Sequence, residues 1–213
     1  MQSASESRHG FSSITNDGDE RERRGIMAFK NLGSEGELFP QSVFIIASYD
    51  ENGVPNAMNA AWAGECSRHE ICFNIGDHKS TANIVKRGAF SVSPADVAHM
   101  AEADYFGIAT GNKVDKAAAS GMTFTKSEFV DAPVIEEFPL TMECEVTVID
   151  GDEHGARIVG RVVNTRVDES VLDGEGRVDF GKMRPIVYDS TRRIYRVVCE
   201  EVGGAWDAGK ALM

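Results

Sequence analysis

The sequence predicts a mainly β protein, an antiparallel barrel that is closed or nearly closed and carries a few peripheral helices. Short apolar or alternating runs separated by turn residues recur along the chain, as they do in antiparallel barrels. The clearest run, 140–149, alternates apolar and polar residues throughout, which is typical of a strand with one face on a core. Few stretches show helical spacing.

The first predicted strand covers 43–49, where the sequence VFIIASY is rich in β-branched and aromatic residues. Asn52-Gly53 then predicts a tight hairpin, after which the chain resumes an extended conformation. A further strand is expected over 71–75. After it, Ser80 or Thr81 can cap a helix that runs to about Lys86 and stops at Gly88.

Residues 90–93 form the next predicted strand, which Pro94 ends. Apolar spacing favours a helix within 96–106, and an alanine-rich stretch favours a second short helix over 114–120. In the C-terminal half, 140–149 and 157–167 are predicted to pair across the turn at 150–155. Two further short strands are expected over 186–188 and 194–198.

Composition is ordinary for a globular protein, with 42% hydrophobic and 26% charged residues in 213. This length suits one large domain. We therefore expect a single domain over 27–213, preceded at 1–26 by a flexible polar extension that has too little apolar surface to fold. Met27 resembles a second start, so the extension is either upstream sequence assigned by mistake or a dispensable tail.

The formal net charge of −12 argues against nucleic-acid binding, because phosphates require a basic surface. No apolar run approaches the roughly 20 residues needed to cross a bilayer, and the N-terminus lacks the apolar centre of a signal peptide. These features predict a cytoplasmic protein that does not bind membranes. Its four cysteines are spaced too irregularly for a zinc ribbon or redox pair, and we expect buried, reduced thiols.

Residues 56–62, Asn-Ala-Met-Asn-Ala-Ala-Trp, have the chemistry of a site for a planar ring. Asn56 and Asn59 offer amide donors and acceptors, the alanines let a ligand approach the backbone, and Trp62 can stack on a ring. By residue type alone, Trp62 is more often a core aromatic. On a regular strand Asn59 points away from the face of Asn56, so a bulge would be needed for both to reach one ligand.

Residues 76–83, Gly-Asp-His-Lys-Ser-Thr-Ala-Asn, have the chemistry of a phosphate cradle. A cation and two hydroxyls lie where a helix begins, and a helix N-terminus offers free N–H groups and partial positive charge. An exposed lysine followed by an ordinary helix cap is the plainer alternative.

Other site motifs are missing from the sequence. Without Walker glycines or GxGxxG, a nucleoside triphosphate loop and a Rossmann domain are disfavoured. The histidines form no metal-binding pattern, and no GxSxG accompanies His78, so we predict neither a metal nor a catalytic triad.

Five sequence blocks in the same order resemble the flavin reductase-like family, and its flavoredoxin-type members in particular. The blocks are PQSVFIIASYDENGVPNAMNAAW, GDHKSTANIVKRGAFSVS, EADYFGIATGNKVDK, SEFVDAPVIEEFPL, and DESVLD followed by RPIVYD. The resemblance runs from about Met27 to the C-terminus. It implies a split β-barrel of antiparallel strands in Greek-key order, and a homodimer with one FMN per subunit near the dimer interface.

The resemblance also implies the cofactor contacts. The ring and ribityl chain would contact Asn56, Met58, Asn59, Ala60, Ala61 and Trp62. The phosphate would be held by His78, Lys79, Ser80, Thr81 and Asn83, and further contacts would come from Phe90, Ser91, Val92 and Lys113. Many members have an arginine-rich phosphate segment. This chain has a lysine there, which cannot grip phosphate bidentately and leaves room for FMN to exchange.

The function predicted from this resemblance is that of an NAD(P)H-dependent FMN reductase or related flavin oxidoreductase. Hydride would pass from NADH or NADPH to FMN and electrons to an acceptor; the cofactor supplies the chemistry, so no catalytic side chain is assigned. One alternative is a non-enzymatic carrier in which bound FMN shuttles electrons between partner proteins. The acidic charge mildly favours such docking to a redox partner. Another alternative is a dimeric module that has lost its flavin.

Overall fold

The structure is a computed structural model that describes residues 27, 29–34, 40–198 and 200–213. The chain divides into two units, Met1–Gly36 and Glu37–Met213, and every helix and strand named below belongs to the second. The predicted extension at 1–26 lies outside the described residues, so its flexibility stays a prediction. Within the described ranges, no helix is long and apolar enough to span a membrane.

Strands dominate the second unit, and the helices are short. The strands are β1 (Gln41–Ser42), β2 (Phe44–Tyr49), β3 (Pro55–Ala60), β4 (Ala63–Ser67), β5 (Glu70–Ile75), β6 (Ala89–Pro94), β7 (Phe124–Lys126), β8 (Pro133–Ile135), β9 (Leu140–Asp152), β10 (Gly155–Val167), β11 (Ile186–Asp189) and β12 (Ile194–Val197). The helices are α1 (Lys79–Arg87), α2 (Met100–Ile108), α3 (Lys116–Ser120) and α4 (Phe180–Met183), with 3₁₀ turns at Glu169–Val171 and Ala208–Leu212.

Seven strands form one antiparallel sheet in the order β3-β2-β6-β9-β10-β5-β4. The strands β3 and β4 lie at opposite ends of this order, yet only Ala61 and Trp62 separate them in the chain. A connection this short reaches at most about 11 Å, roughly two strand spacings, so the sheet must roll up until its edges approach. The Asn74 N–H of β5 donates to the Trp62 carbonyl at 3.0 Å, which extends the β4-β5 pairing back into this connection. The predicted antiparallel barrel is confirmed.

Apolar side chains from opposite parts of the rolled sheet fill the barrel. Its largest fully buried members include Phe73, Phe90, Ile46 and Ile158, and the rings of Phe73 and Phe90 pack edge to face with centroids 5.1 Å apart. Only glycine fits at position 160 of β10 without a shift of its neighbours, because a Cβ there would lie 2.4 Å from the Phe90 ring. A second sheet has the order β1-β11-β12, and β7 pairs with β8 in a third.

The helix boundaries differ from the predicted ones in two places. Helix α1 is capped by His78, two residues before the expected Ser80, and it ends at Gly88 as predicted, with the glycine at φ 67°. Thr81 is fully buried within the first turn, where its hydroxyl donates to the Gly76 carbonyl at 2.5 Å. Helix α2 begins only after His99, because the Asp96 carboxylate accepts the His99 N–H at 2.8 Å and holds the preceding turn.

The prediction of buried cysteines holds for Cys144 and is wrong for Cys66. Cys144 lies in the barrel interior, where burial raises the pKa of its thiol to about 12. Cys66 is exposed because it belongs to the edge strand β4, and Cys72 on the neighbouring strand is half-buried. Cys199 lies outside the described residues.

Candidate functional site

A cleft of about 250 Å³ lies where β3, the first turn of α1 and the chain after α2 meet. We call it the Lys116 cleft. One wall carries residues of both predicted motifs, namely Asn56, Met58, Asn59, His78, Lys79 and Ser80. The opposite wall is 106–111 together with Lys116. The fold therefore brings together two segments that are about twenty residues apart in the sequence.

Asn56 links the two motifs directly. Its side-chain amide is buried and donates to the Ser80 hydroxyl on the first turn of α1, with a 2.7 Å separation between Nδ2 and Oγ. The facing wall approaches so closely that a Cβ on Gly111 would lie 2.2 Å from Asn56 Oδ1. Only glycine fits at 111 without displacing the amide, so the backbone itself forms this side of the cleft.

Asn59 reaches the same cleft, although no bulge interrupts the pairing of β3 with β2. The expectation of a bulge is therefore wrong. The strand β3 is an edge of the sheet, and a cleft at a free edge can receive side chains from both faces of the strand. Asn59 is held there by its Nδ2, which donates to the Ala103 carbonyl on α2 at 3.1 Å.

Lys116 is a buried cation that forms no salt bridge with any acid in the described ranges. Its residue is only 4% exposed, and within the described ranges the one hydrogen bond of its ammonium is to the Phe106 carbonyl, at 2.9 Å. Burial lowers the pKa of this lysine to about 8. An ammonium has three N–H donors. Lys116 therefore has N–H donors left to form hydrogen bonds with an anion in the cleft.

Lys79, in contrast, already has a partner. Its ammonium lies 3.1 Å from the Asp50 carboxylate, and both side chains are partly exposed. Burial acts to raise the pKa of Asp50, but the N–H of Val54 and the Lys79 ammonium outweigh it and lower that pKa below its ordinary value. The cations at the far end of α1 are also paired, Lys86 with Glu51 and Arg87 with Asp131, and neither lines the cleft.

A second cleft of about 320 Å³ shares the lining residues Asn59, Gly107 and Ile108 with the first, so the two clefts are adjacent. We call it the Tyr195 cleft. The Tyr195 phenol donates to Asp104 Oδ1 at 2.7 Å, and burial together with that carboxylate raises the pKa of Tyr195 above its ordinary value. The Tyr188 and Tyr195 rings lie 5.9 Å apart. This cleft offers aromatic surface and hydrogen-bonding groups beside Asn59.

Residues 60–62, the end of the motif predicted to contact the ring, are divided between the core and the surface. Ala60 is buried in the barrel core, and Ala61 lines the Tyr195 cleft. Trp62 is 71% exposed, so it is not the core aromatic that its residue type most often predicts. Its indole is available to a ligand or to a second copy of the chain.

Several other predicted contacts do not line either cleft. Thr81 and Asn83 are buried on the inner side of α1. Phe90 and Val92 lie within the barrel, whereas the Ser91 hydroxyl donates to the Pro133 carbonyl of β8 on the other face of the sheet. Lys113 is exposed outside both clefts. Of the two lysines in the block GNKVDK, Lys116 lines a cleft and Lys113 does not, and the cofactor contacts of all these residues stay predictions.

Sequence reasoning missed Lys116, Gly111 and Tyr195. The block GNKVDK contains both lysines, but which one points inward depends on where α3 begins. Asp115 caps α3 by accepting the Ala118 N–H at 3.0 Å, which puts Lys116 in the first turn. An Asp before an alanine-rich stretch is a recognisable helix start, so this signal was present in the sequence. Tyr195 had no comparable local signal.

Comparison with known proteins identifies the family. The family model for the flavin reductase like domain matches residues 36–195. The chain belongs to this family. The match covers most of the chain and contains both clefts. A search of curated proteins found no match.

Solved structures of this family are similar over nearly their full length. Flavoredoxin of Desulfovibrio vulgaris is 33% identical, with a TM-score of 0.81, and the alignment covers 86% of this chain and 100% of that one. An FMN-binding protein from Thermus thermophilus is 20% identical, with a TM-score of 0.69, over 83% and 100%. A Shewanella frigidimarina protein with a split barrel domain is 14% identical, with a TM-score of 0.69, over 78% and 86%. The fold is the split barrel of FMN-binding flavin reductase-like proteins.

Proposed function

We propose that this chain is an FMN-dependent oxidoreductase in which the two adjacent clefts hold the cofactor. The observation that carries this proposal is the buried Lys116, without a salt bridge in the described ranges, beside the N-terminus of α1. A buried ammonium is unfavourable unless a ligand compensates it. FMN is anionic, so its binding relieves this cost, and the residues present fit the group.

The phosphate end belongs at α1. The helix has nine residues and no acidic residue in its first turn, and His78 and Ser80 line the cleft there. Free N–H groups at such a helix start bind phosphate oxygens, and Lys79 adds a cation at the rim. Thr81 and Asn83 support this turn from within, through Gly76 and Ser48.

The ring end belongs at the Tyr195 cleft. Ligand sites for molecules of this class occupy about 300–1,000 Å³, so neither cleft alone has ample room. Asn59 stands at their junction and presents an amide to both. Ala61 and the exposed Trp62 extend this side, while Tyr195, held by Asp104, keeps its phenol oriented. These are the proposed ring contacts.

FMN bound there would supply the redox chemistry, with hydride uptake at its ring system and electron transfer to an acceptor. The chain's own residues bind and orient it. Lys116 supplies a positive charge within the cleft, Asn56 and Asn59 fix hydrogen-bond geometry, and Gly111 lets the backbone close over the ligand. The Tyr195 phenol donates its single proton to Asp104, so it can only accept a hydrogen bond from a ligand.

Two activities share this site. The first is an NAD(P)H-dependent FMN reductase, which the family's name favours. The second is an electron carrier of flavoredoxin type, which the 33% identity to a flavoredoxin favours. In both cases we propose a homodimer that works in the cytoplasm, and in the second a redox protein partner. The net charge of −12 suits a basic partner surface.

One preparation separates these activities. The purified protein is saturated with FMN and then exposed to NADH or NADPH under anaerobic conditions, and its flavin absorbance is followed. Bleaching within catalytic times supports the reductase. A tightly bound flavin that neither nucleotide bleaches, but that dithionite reduces, supports the carrier. Protein that binds no FMN at micromolar concentrations overturns both.

A further inference from the structure

Two cysteines, Cys66 and Cys72, lie on neighbouring strands of the barrel sheet, β4 and β5, and line neither cleft. Their spacing in the sequence matches no redox motif. The antiparallel pairing of the two strands nevertheless brings them to one place. Both are free thiols, with Cys66 exposed and Cys72 half-buried. They differ in this from Cys144, which is enclosed in the barrel core.

The strand register puts both cysteine side chains on the outer face of the sheet. Ile71 and Phe73 of β5 belong to the barrel core, so Cys72 between them points outward. Gly64 lies opposite Cys72, and Cys66 returns to the same face two residues later. Gly64 has no side chain, and a Cβ there would meet nothing within 4 Å. No side chain at position 64 therefore separates the two thiols.

Cys66 is the extra residue of a β-bulge. The pairing of β4 with β5 shifts between Glu65 and Ser67, which leaves Cys66 without a partner of its own. Its thiol donates to the Glu70 carbonyl at 3.6 Å and also hydrogen-bonds with the Cys72 thiol. The bulge is exposed and lies on an edge strand. Small movements that bring the two sulfurs to bonding geometry therefore leave the core undisturbed.

We propose that Cys66 and Cys72 form a reversible disulfide, and that low-molecular-weight disulfides are the oxidants that produce it. Cys66, the exposed thiol, loses its proton and attacks one sulfur of the small disulfide, which releases one small thiolate and leaves a mixed disulfide on Cys66. Cys72 then loses its proton and attacks the Cys66 sulfur, which releases the second small thiolate. The protein thiols lose two electrons and two protons, and the small disulfide takes up both to become two small thiols.

The Glu70 carboxylate slows this exchange. Burial, the contact with the Cys72 thiol and the negative charge of Glu70 raise the pKa of the Cys66 thiol. Only the thiolate attacks a disulfide, so the reaction is slow near neutral pH and becomes faster as the pH rises. The Ser67 hydroxyl donates to the Glu70 carboxylate at 2.9 Å. Glu70→Gln keeps an acceptor for that hydroxyl and removes the charge, so it should speed the exchange about two- to fivefold, as expected for one exposed charge.

Reaction of the folded, FMN-free protein with hydroxyethyl disulfide, an uncharged reagent, tests the proposal. Every protein carries Cys199→Ser, because that residue lies outside the described ranges. Mass spectrometry should show the loss of two hydrogen atoms, and peptide mapping should join Cys66 to Cys72. Excess dithiothreitol should restore both thiols. Cys144 should stay a thiol throughout, which reports that the barrel has remained folded.

Serine variants of the two cysteines are the paired controls. Cys72→Ser should stop at the mixed disulfide on Cys66, because no second thiol displaces the reagent. Cys66→Ser should react roughly tenfold more slowly, since its remaining thiol is half-buried. The proposal is overturned if protein with both cysteines stops at a mixed disulfide, stays unreacted at alkaline pH, or forms a disulfide that includes Cys144. An unchanged rate in Glu70→Gln would overturn the role of that carboxylate.

Discussion

Replacement of Lys116 by methionine should stabilise the FMN-free protein and weaken FMN binding at the same time. Methionine keeps the length of the buried stem and removes the charge. Lowering the lysine pKa from 10.5 to about 8 corresponds to about 3 kcal/mol of unfavourable burial of the ammonium near pH 7. The Phe106 carbonyl loses its donor, which costs about 1–3 kcal/mol.

With the cost of the unpaired Phe106 carbonyl at the low end of its range, removing the buried charge outweighs it. The free energy of unfolding of the FMN-free protein should then rise by about 1–2 kcal/mol. For a domain of this size that raises the melting temperature by about 2–8 °C. FMN binding loses a hydrogen bond to a charged group, worth about 1.5–3 kcal/mol, so Kd should rise about 10- to 100-fold. The opposed signs are the signature of a binding lysine.

Thermal unfolding and FMN fluorescence titration measure the two effects, with Lys113→Met as the matched control. Lys113 is exposed, so its variant should match the wild type in both assays. A structural lysine would give the reverse pattern, with a lower melting temperature and unchanged FMN affinity in Lys116→Met. That result would refute our account of the cleft.

Lys116 should make both the stability of the FMN-free protein and the Kd for FMN depend on pH. Its pKa is lowered in the folded protein, so between about pH 8 and 10.5 the unfolded chain holds more protons and the stability of the FMN-free protein rises with pH. FMN needs the protonated form, so its Kd should rise up to about tenfold per pH unit above 8. Phosphate is fully ionised there, with a second pKa near 6. The Lys116→Met variant should lose both slopes.

Three further substitutions probe the clefts. Gly111→Ala places a methyl group within 2.2 Å of a buried amide oxygen and should abolish FMN retention on desalting, whereas Gly174→Ala, where nothing lies within 4 Å, should retain it. Lys79→Ala should raise the FMN Kd only about two- to fivefold, far less than Lys116→Met, because its charge is already paired and partly exposed; an unchanged Kd would argue against phosphate binding at α1. Tyr195→Phe should lower stability to urea by about 1–3 kcal/mol through loss of a hydrogen bond to a carboxylate, and an alkaline absorbance titration should lose its latest-ionising tyrosine.

The strands were predictable because their signals are local. Alternation along 140–149 and the Asn52-Gly53 turn correspond to β9 and to the β2-β3 hairpin in the structure. The sheet order was not predictable from these signals, since the pairing of β2 with β6 and of β10 with β5 joins distant segments. The strand and turn pattern predicted an antiparallel barrel, the resemblance to the flavin reductase-like family added the split-barrel type, and the family is confirmed.

The site was predictable only as two motifs. The structure brings Asn56 and Ser80 into contact, as a shared site requires, while the cofactor contacts themselves stay predictions. Which of Lys113 and Lys116 lines the cleft depends on where α3 starts, because the start of the helix determines which of the two side chains is buried. A strand rule applied to Asn59 failed because β3 is an edge strand, where both faces reach one cleft.

The two-residue connection between β3 and β4 limits how this chain can change. Most surface connections accept insertions at small entropic cost. An insertion at 61–62, however, would let the edges of the sheet separate and would carry Ala61 away from the Tyr195 cleft. The length of this connection is therefore constrained both by the barrel and by the Tyr195 cleft, and related chains should tolerate substitutions there far better than insertions.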